Sequence, residues 1–238
     1  MPLSSDDRRR YSRNIQLEGI GAEGQARLLA SHVAIVGCGA LGSITSMYLA
    51  GSGVGQLTIA DFDTIDVSNL QRQLSFTTAS CGKSKAEETA RRLQEINPDI
   101  TILSHNKLLS KSNIDDIIGT PDLIIEGSDN PATKYLVTDY AVSRGIPYVM
   151  GGVDQWHGQV MSWRPGNRCY RDIFPDGLNT PDGITPCSTG GVHGPLPGMI
   201  GAAMASDAIK IICGCGTPLY NRMMLIDTMS MESRIVNI

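Results

Sequence analysis

The chain has 238 residues and a mass of 25.5 kDa, enough for one large domain whose core needs neither disulfides nor a metal merely to fold. A net charge of -4, a pI near 5.5 and 5% aromatic residues leave it without the basic surface or stacking platforms of a nucleic-acid binder. The opening MPLSSDDRRRYSR has no apolar leader core, no apolar run reaches the ~18 residues of a membrane span, and six scattered cysteines show no framework spacing; a cytoplasmic protein with free thiols is expected.

In chain order, residues 1–30 read as a helical arm whose basic residues are Arg8, Arg9, Arg10, Arg13 and Arg27. HVAIVGCGALGSITSMYLAGSGV then predicts an apolar strand, a tight glycine turn and a helix ended by Gly51 and Gly53. QLTIAD is a second short strand, and SKAEETARRLQEINPD has helical spacing until Pro98 stops it. ITILSH, DLIIEGS and PYVMGG follow as strands, with PATKYLVTDYAVSRG helical between the last two. Apolar strands alternating with amphipathic helices predict a parallel sheet covered on both faces, here a nucleotide-binding half over residues 31–152.

From residue 153 the rhythm changes. HGQVMSWRPG reads as an antiparallel strand, MIGAAMASDAIKIICG as a helix of small residues suited to close packing, and MMLIDTMSMESRIVNI as a closing hairpin. The predicted fold class is therefore α/β: a Rossmann-like, doubly wound, mostly parallel sheet extended by antiparallel strands in the C-terminal half, all within one domain over residues 1–238.

Gly37-Cys38-Gly39-Ala40-Leu41-Gly42 matches G-x-G-x-x-G between a strand and a helix, where glycines allow close phosphate approach and the helix N-terminus favours anionic oxygens. Asp61 ends the second strand, where a ribose-binding acid belongs. Alone, this pair reads as an NAD-dependent dehydrogenase. DFDTIDVSNLQRQLSF then places Asp63, Asn69, Gln71, Arg72 and Gln73 near the nucleotide, Lys85 opens the next helix, and EGSDN brings Asp129 and Asn130 to the carboxyl edge of the sheet. Two cations, a metal-capable aspartate and an amide suit a triphosphate with Mg²⁺ better than a dinucleotide. Taken alone, Asp129 also reads as a cap for the helix starting at Pro131.

RYSRNIQL, GCGALG, DFDTIDVSNLQRQ, the Lys85 helix start and SDN resemble, in that order, the ThiF/MoeB/HesA family of ubiquitin-activating-like adenylyltransferases, ThiF members most. The resemblance runs from about residue 8 to 230. It implies a homodimer that uses ATP and Mg²⁺ to adenylate the C-terminal glycine carboxylate of a ubiquitin-like sulfur carrier ending in Gly-Gly, with pyrophosphate released. It further implies that Gly37, Gly39, Ala40, Leu41 and Gly42 form the phosphate loop, that Asp61 holds the ribose, and that Asn69, Arg72 and Lys85 stabilise the phosphates. Asp129 would bind Mg²⁺, Asp63, Gln73 and Asn130 would complete the nucleotide site, and Arg13 would reach the γ-phosphate of the partner subunit's ATP. Residues 153–238 become the carrier-binding and dimer half. A ThiS-like carrier of thiamine thiazole synthesis is favoured, a MoaD-like carrier of molybdopterin synthesis comes second, and another carboxylate, a peptide C-terminus or a cofactor precursor, is the alternative.

Two features depart from the family pattern. Many relatives hold a structural zinc with two C-x-x-C pairs; here Cys169 is followed by Asp172 at the partner position, and the second pair would fall beyond residue 238, so no structural zinc is expected. Cys213-Gly-Cys215 is expected to serve packing and a turn. CSTGGVHGPLPG places Cys187 where ThiF-like members carry a thiol that takes the carrier as an acyl derivative, a step open to a thiolate, so Cys187 joins Arg13, Arg72, Lys85 and Asp129 as a candidate catalytic residue. His193 is expected to be a loop residue.

Overall fold

Helices α1 (Ser5–Arg10), α2 (Ser12–Ile15) and α3 (Gly21–Ala30) form the N-terminal arm in the computed structural model, which describes residues 3–175 and 191–238. Tyr11 anchors this arm. Its ring is buried where a Cβ added to Gly53 would lie 2.5 Å from Cζ, and its hydroxyl accepts a 2.8 Å bond from Asn97 Nδ2.

The nucleotide-binding half runs β1 (His32–Val36), α4 (Ala40–Ser52), β2 (Gln56–Ala60), α5 (Lys85–Ile96), β3 (Thr101–His105), α6 (Ile114–Ile118), β4 (Leu123–Glu126), α7 (Pro131–Arg144) and β5 (Tyr148–Asp154). Short 3₁₀ turns at Val67–Asn69 and Thr78–Ser80 interrupt the β2–α5 connection. β6 (His157–Trp163), α8 (Tyr170–Ile173), α9 (Pro195–Cys213), β7 (Arg222–Asp227) and β8 (Glu232–Asn237) follow.

One eight-stranded sheet has the order β3-β2-β1-β4-β5-β6-β7-β8. Its first five strands pair in parallel, and every pairing from β5–β6 onward is antiparallel, as the sequence predicts. Side chains alternate between faces along a strand, which divides the core in two. Val33, Ile35, Leu123 and Ile125 belong to one cluster with Leu41, Leu49 and Met204; Ala34, Val36 and Ile124 belong to the other with Ile117, Tyr135 and Val137. Each fully buried aliphatic side chain of this kind contributes roughly 1.5–3 kcal/mol.

Helix α9 corrects one expectation. Its 19 residues are long and apolar enough to cross a membrane. The reason is internal packing: Leu196, Ile200, Met204, Ala205 and Ala208 are buried among the same core residues as Leu41 of α4 and Val149 and Val160 of the sheet. Its small residues permit a close helix contact, since a Cβ on Gly201 would lie 2.9 Å from Leu41 O, and Thr45 Oγ1 donates to Gly201 O at 3.1 Å. The helix ends as expected, with Cys213 buried and Gly214 left-handed at φ 66. Burial pushes the Cys213 thiol up to about 11. Cys169 and Asp172 form a reciprocal cap on α8, in which Asp172 Oδ2 accepts the Cys169 N–H at 2.8 Å.

Candidate active site

The strand order reverses around β1, which lies between β2 and β4, so the connections leaving these strands diverge and open a crevice. A cavity of about 1320 Å³ lies there and continues along the antiparallel strands. Its floor is the turn after β1. Gly37 adopts φ 85, and a Cβ on it would lie 2.8 Å from Ser128 N, so this turn packs backbone to backbone against the turn after β4. Gly39, Ala40 and Leu41 line the cavity at the start of α4, whose first-turn amides have no acceptor within the helix. Gly42 is not on the cavity wall among the described residues. It lies beneath the turn, where a Cβ would fall 1.7 Å from Gly37 O.

Asp61 closes the floor from β2. Its Oδ2 accepts the Cys38 N–H at 2.6 Å and its Oδ1 accepts the Asp63 N–H at 2.8 Å. Burial raises its carboxyl above the ordinary range, although those two bonds and Lys85 work in the opposite direction. Lys85, the first residue of α5, is buried with its ammonium on the Asp63 carboxylate, and both side chains reach the wall. Asp63 therefore positions Lys85. Arg72 also lines the cavity and donates from Nη1 to Ser68 O at 3.0 Å. Gln73 is buried beside them, and its Oε1 has no hydrogen-bond partner among the described residues.

On the opposite lip, Asn130 caps α7: its Oδ1 accepts from Ala132 N at 2.8 Å and Thr133 N at 3.3 Å. The cap is thus Asn130, and Asp129 stands on the wall with an exposed side chain. Asn69 has a local role, its Oδ1 accepting the Asp66 N–H at 3.1 Å, and is off the wall among the described residues. Arg13 is exposed on α2, also off the wall, with Nη1 at 3.5 Å from Gln16 Oε1. Cys187 lies outside the described residues. His193 stacks on Trp156 with ring centroids 4.4 Å apart, and its Nδ1 lies 3.2 Å from Thr228 Oγ1.

Several wall residues were not singled out in the sequence, although Phe62 lies inside the DFDTIDVSNLQRQ stretch. Phe62, Lys107 and Leu108 come from the connections after β2 and β3, and Lys134 comes from one face of α7. Asp154, Gln159, Leu225 and Arg234 come from the antiparallel strands. The cavity is therefore lined both by the glycine turn with the cations Arg72 and Lys85 and by residues of the antiparallel strands. That arrangement has room for a phosphate-bearing ligand beside a second, extended one.

The ThiF family model matches residues 11–238. The chain is 42% identical over 238 residues to "Adenylyltransferase and sulfurtransferase MOCS3" of Drosophila grimshawi, a match covering 99% of this chain and 53% of that protein. It thus spans about half the length of that relative. It is 38% identical over 227 residues to the "SAMP-activating enzyme E1" of Haloferax volcanii, covering 95% of this chain and 84% of the relative. Among solved structures, E. coli MccB with ATP superposes with a TM-score of 0.82 at 26% identity, covering 96% of this chain and 70% of MccB.

Proposed function

The chain belongs to the ThiF family, and from that premise we propose that it is an ATP- and Mg²⁺-dependent adenylyltransferase acting on the C-terminal carboxylate of a ubiquitin-like sulfur carrier. One observation carries the reading: Arg72, Lys85 and Asp129 converge with the glycine turn at one end of a cavity whose other end runs along Gly152, Val153 and Asp154 of β5. An extended Gly-Gly tail fits beside such a strand, because residues without side chains bring their backbone close to the nucleotide.

A carboxylate attacking a phosphate needs two anions to approach each other, so the chain's task is positioning and charge compensation. Lys85 and Arg72 supply fixed positive charge, and the bond between Lys85 and Asp63 holds the ammonium at the wall. Asp61 and the unpartnered Gln73 Oε1 offer acceptors for nucleotide hydroxyl or amine groups. Among the described residues no group of three or more His, Cys, Asp or Glu side chains could cage a metal. A lone carboxylate such as Asp129 fits Mg²⁺, which is usually held by one or two carboxylates together with substrate phosphates. Bound there, Mg²⁺ would neutralise charge on the leaving pyrophosphate.

Arg13 is exposed and off this chain's cavity wall among the described residues, so we assign it to the site of a second copy in a homodimer. Within the carrier class, RYSRNIQL and FTTAS favour a thiamine thiazole carrier, with a molybdopterin carrier second. Acyl transfer to Cys187 would follow adenylation. The site uses no membrane or nucleic acid, and a cytoplasmic location is in keeping with such substrates.

ATP–pyrophosphate exchange with purified Gly-Gly carriers tests the reading. Exchange should require a carrier and fall about 10²–10³-fold in Arg72→Ala and Asp129→Ala, the scale of losing one transition-state electrostatic contact. Full exchange in both variants would refute the assignment, exchange with a different carboxylate alone would redirect it, and tight NADH binding without exchange would return the dehydrogenase reading. Mixing Arg13→Ala with Lys85→Ala tests the dimer. Random pairing of the two inactive chains should restore roughly a quarter of wild-type exchange, because half the dimers then hold one intact site of two; no recovery removes the assignment of Arg13 to the partner's site.

A further inference from the structure

Glu126 ends β4 with its carboxylate fully buried, and Lys134, one turn into α7, reaches it with Nζ 2.5 Å from Oε2. Neither residue has a nucleotide-binding role in the sequence pattern, although Glu126 opens the EGSDN stretch. A buried ion pair is a poor means of adding stability, because desolvating two charges offsets most of their attraction. Its geometry shows what this one accomplishes. Glu126 Oε1 accepts both the Ser128 N–H, at 3.0 Å, and the Ser128 hydroxyl, which folds the chain back just before Asp129. The turn so fixed packs on Gly37, where a Cβ would lie 2.8 Å from Ser128 N. Lys134 spends a second bond on Gly151 O at 2.8 Å, the strand residue preceding the Gly152–Asp154 stretch of the cavity wall.

We propose that Glu126 and Lys134 are positioning residues: their buried pair sets the Gly127–Asp129 turn against the glycine loop and locks it to β5, holding the metal-facing carboxylate and the acceptor strand at one spacing. In this role the pair acts through Asp129 and Gly151, with Glu126 off the cavity wall among the described residues and Lys134 on it. This inference rests on the adenylyl-transfer reading above. It predicts an effect on the coupling between Mg²⁺ and ATP that a purely stabilising pair would not produce.

The test uses the full chain with Glu126→Gln, Lys134→Met, the neutral double E126Q/K134M, and E126D/K134R. In the last, one side chain shortens as the other lengthens, so the pair is kept. Calorimetry gives ATP affinity in EDTA and in Mg²⁺ without carrier, and exchange gives kcat and carrier KM. Glu126→Gln should leave ATP affinity in EDTA within about twofold, and both it and Lys134→Met should cut the Mg²⁺-dependent gain and kcat by roughly 10–100-fold, as for lost outer-shell partners of a metal ligand. E126D/K134R should recover most of both. If the single variants do not fold, the neutral double, which strands no buried charge, replaces them with the same expectation. An unchanged Mg²⁺ gain and kcat beside a lowered melting temperature would overturn the positioning role and leave adenylyl transfer standing. A wild-type protein without carrier-dependent exchange would overturn both.

Discussion

The two halves of the cavity use glycine for opposite purposes. Around the phosphate turn, glycines let backbone meet backbone: a Cβ on Gly42 would fall 1.7 Å from Gly37 O, and one on Gly37 2.9 Å from Gly127 C. Along the antiparallel half, glycines make room for side chains of α9: a Cβ on Gly151 would meet Met204 Sδ at 2.5 Å and Ile200 Cγ2 at 3.1 Å. Backbone held in a hydrogen-bonded turn has nowhere to go, whereas a methionine thioether can change rotamer. The glycine turn is therefore built to a fixed geometry, whereas around Gly151 the β5 backbone is held and the α9 side chains packed on it can give.

Gly42→Ala loads the fixed turn most severely. One methyl group against a fixed carbonyl should cost about 3 kcal/mol or more, within the range of severe single substitutions, and should remove ATP binding. Denaturant unfolding and calorimetry read both effects. A variant that binds ATP normally would mean the turn yields, and the contrast between the halves would fail. Gly151→Ala should be milder. Overpacking against side chains typically costs about 1–3 kcal/mol, and ATP affinity should stay within a few-fold while the carrier KM rises. Loss of ATP binding in Gly151→Ala would show that the acceptor half is as rigid as the nucleotide half.

How much was legible in the sequence follows the same division. The β1–turn–α4–β2 unit announces itself through the period of its apolar residues and the spacing of Gly37, Gly39 and Gly42, because backbone constraints act within a short stretch of chain. The adjacent Asx residues 129 and 130 could not be told apart as helix cap and site acid; only the hydrogen bonds from Ala132 and Thr133 decide for Asn130. Asn69 sits within the DFDTIDVSNLQRQ stretch, yet its side-chain oxygen is used within its own turn. Glu126 and Lys134 were invisible for a different reason. A glutamate ending an apolar strand and a lysine on a helix look like two solvated charges until tertiary packing closes water out. Lys107, Leu225 and Arg234 reach the cavity only through strand order, which no local pattern encodes.

The finest test of the fixed half is its pH dependence through Asp61. Burial raises this carboxyl in the folded chain, so the proton is held more tightly there than in the unfolded chain. Below the unfolded value both states are protonated and the residue is neutral to stability; as pH rises through the raised native value, the folded state carries a charge it partly desolvates, and stability falls. Nucleotide binding runs the other way, because the ionised carboxylate is the better acceptor for ribose hydroxyls. The free protein should therefore lose some stability across the window just above the ordinary carboxylate range, while ATP affinity rises over the same window. Thermal melts with and without ATP across that range give both slopes. In Asp61→Asn, which has no proton to lose, both slopes should flatten. Parallel slopes in wild type and variant would place the titration elsewhere and remove Asp61 as the group through which the fixed half trades stability for binding.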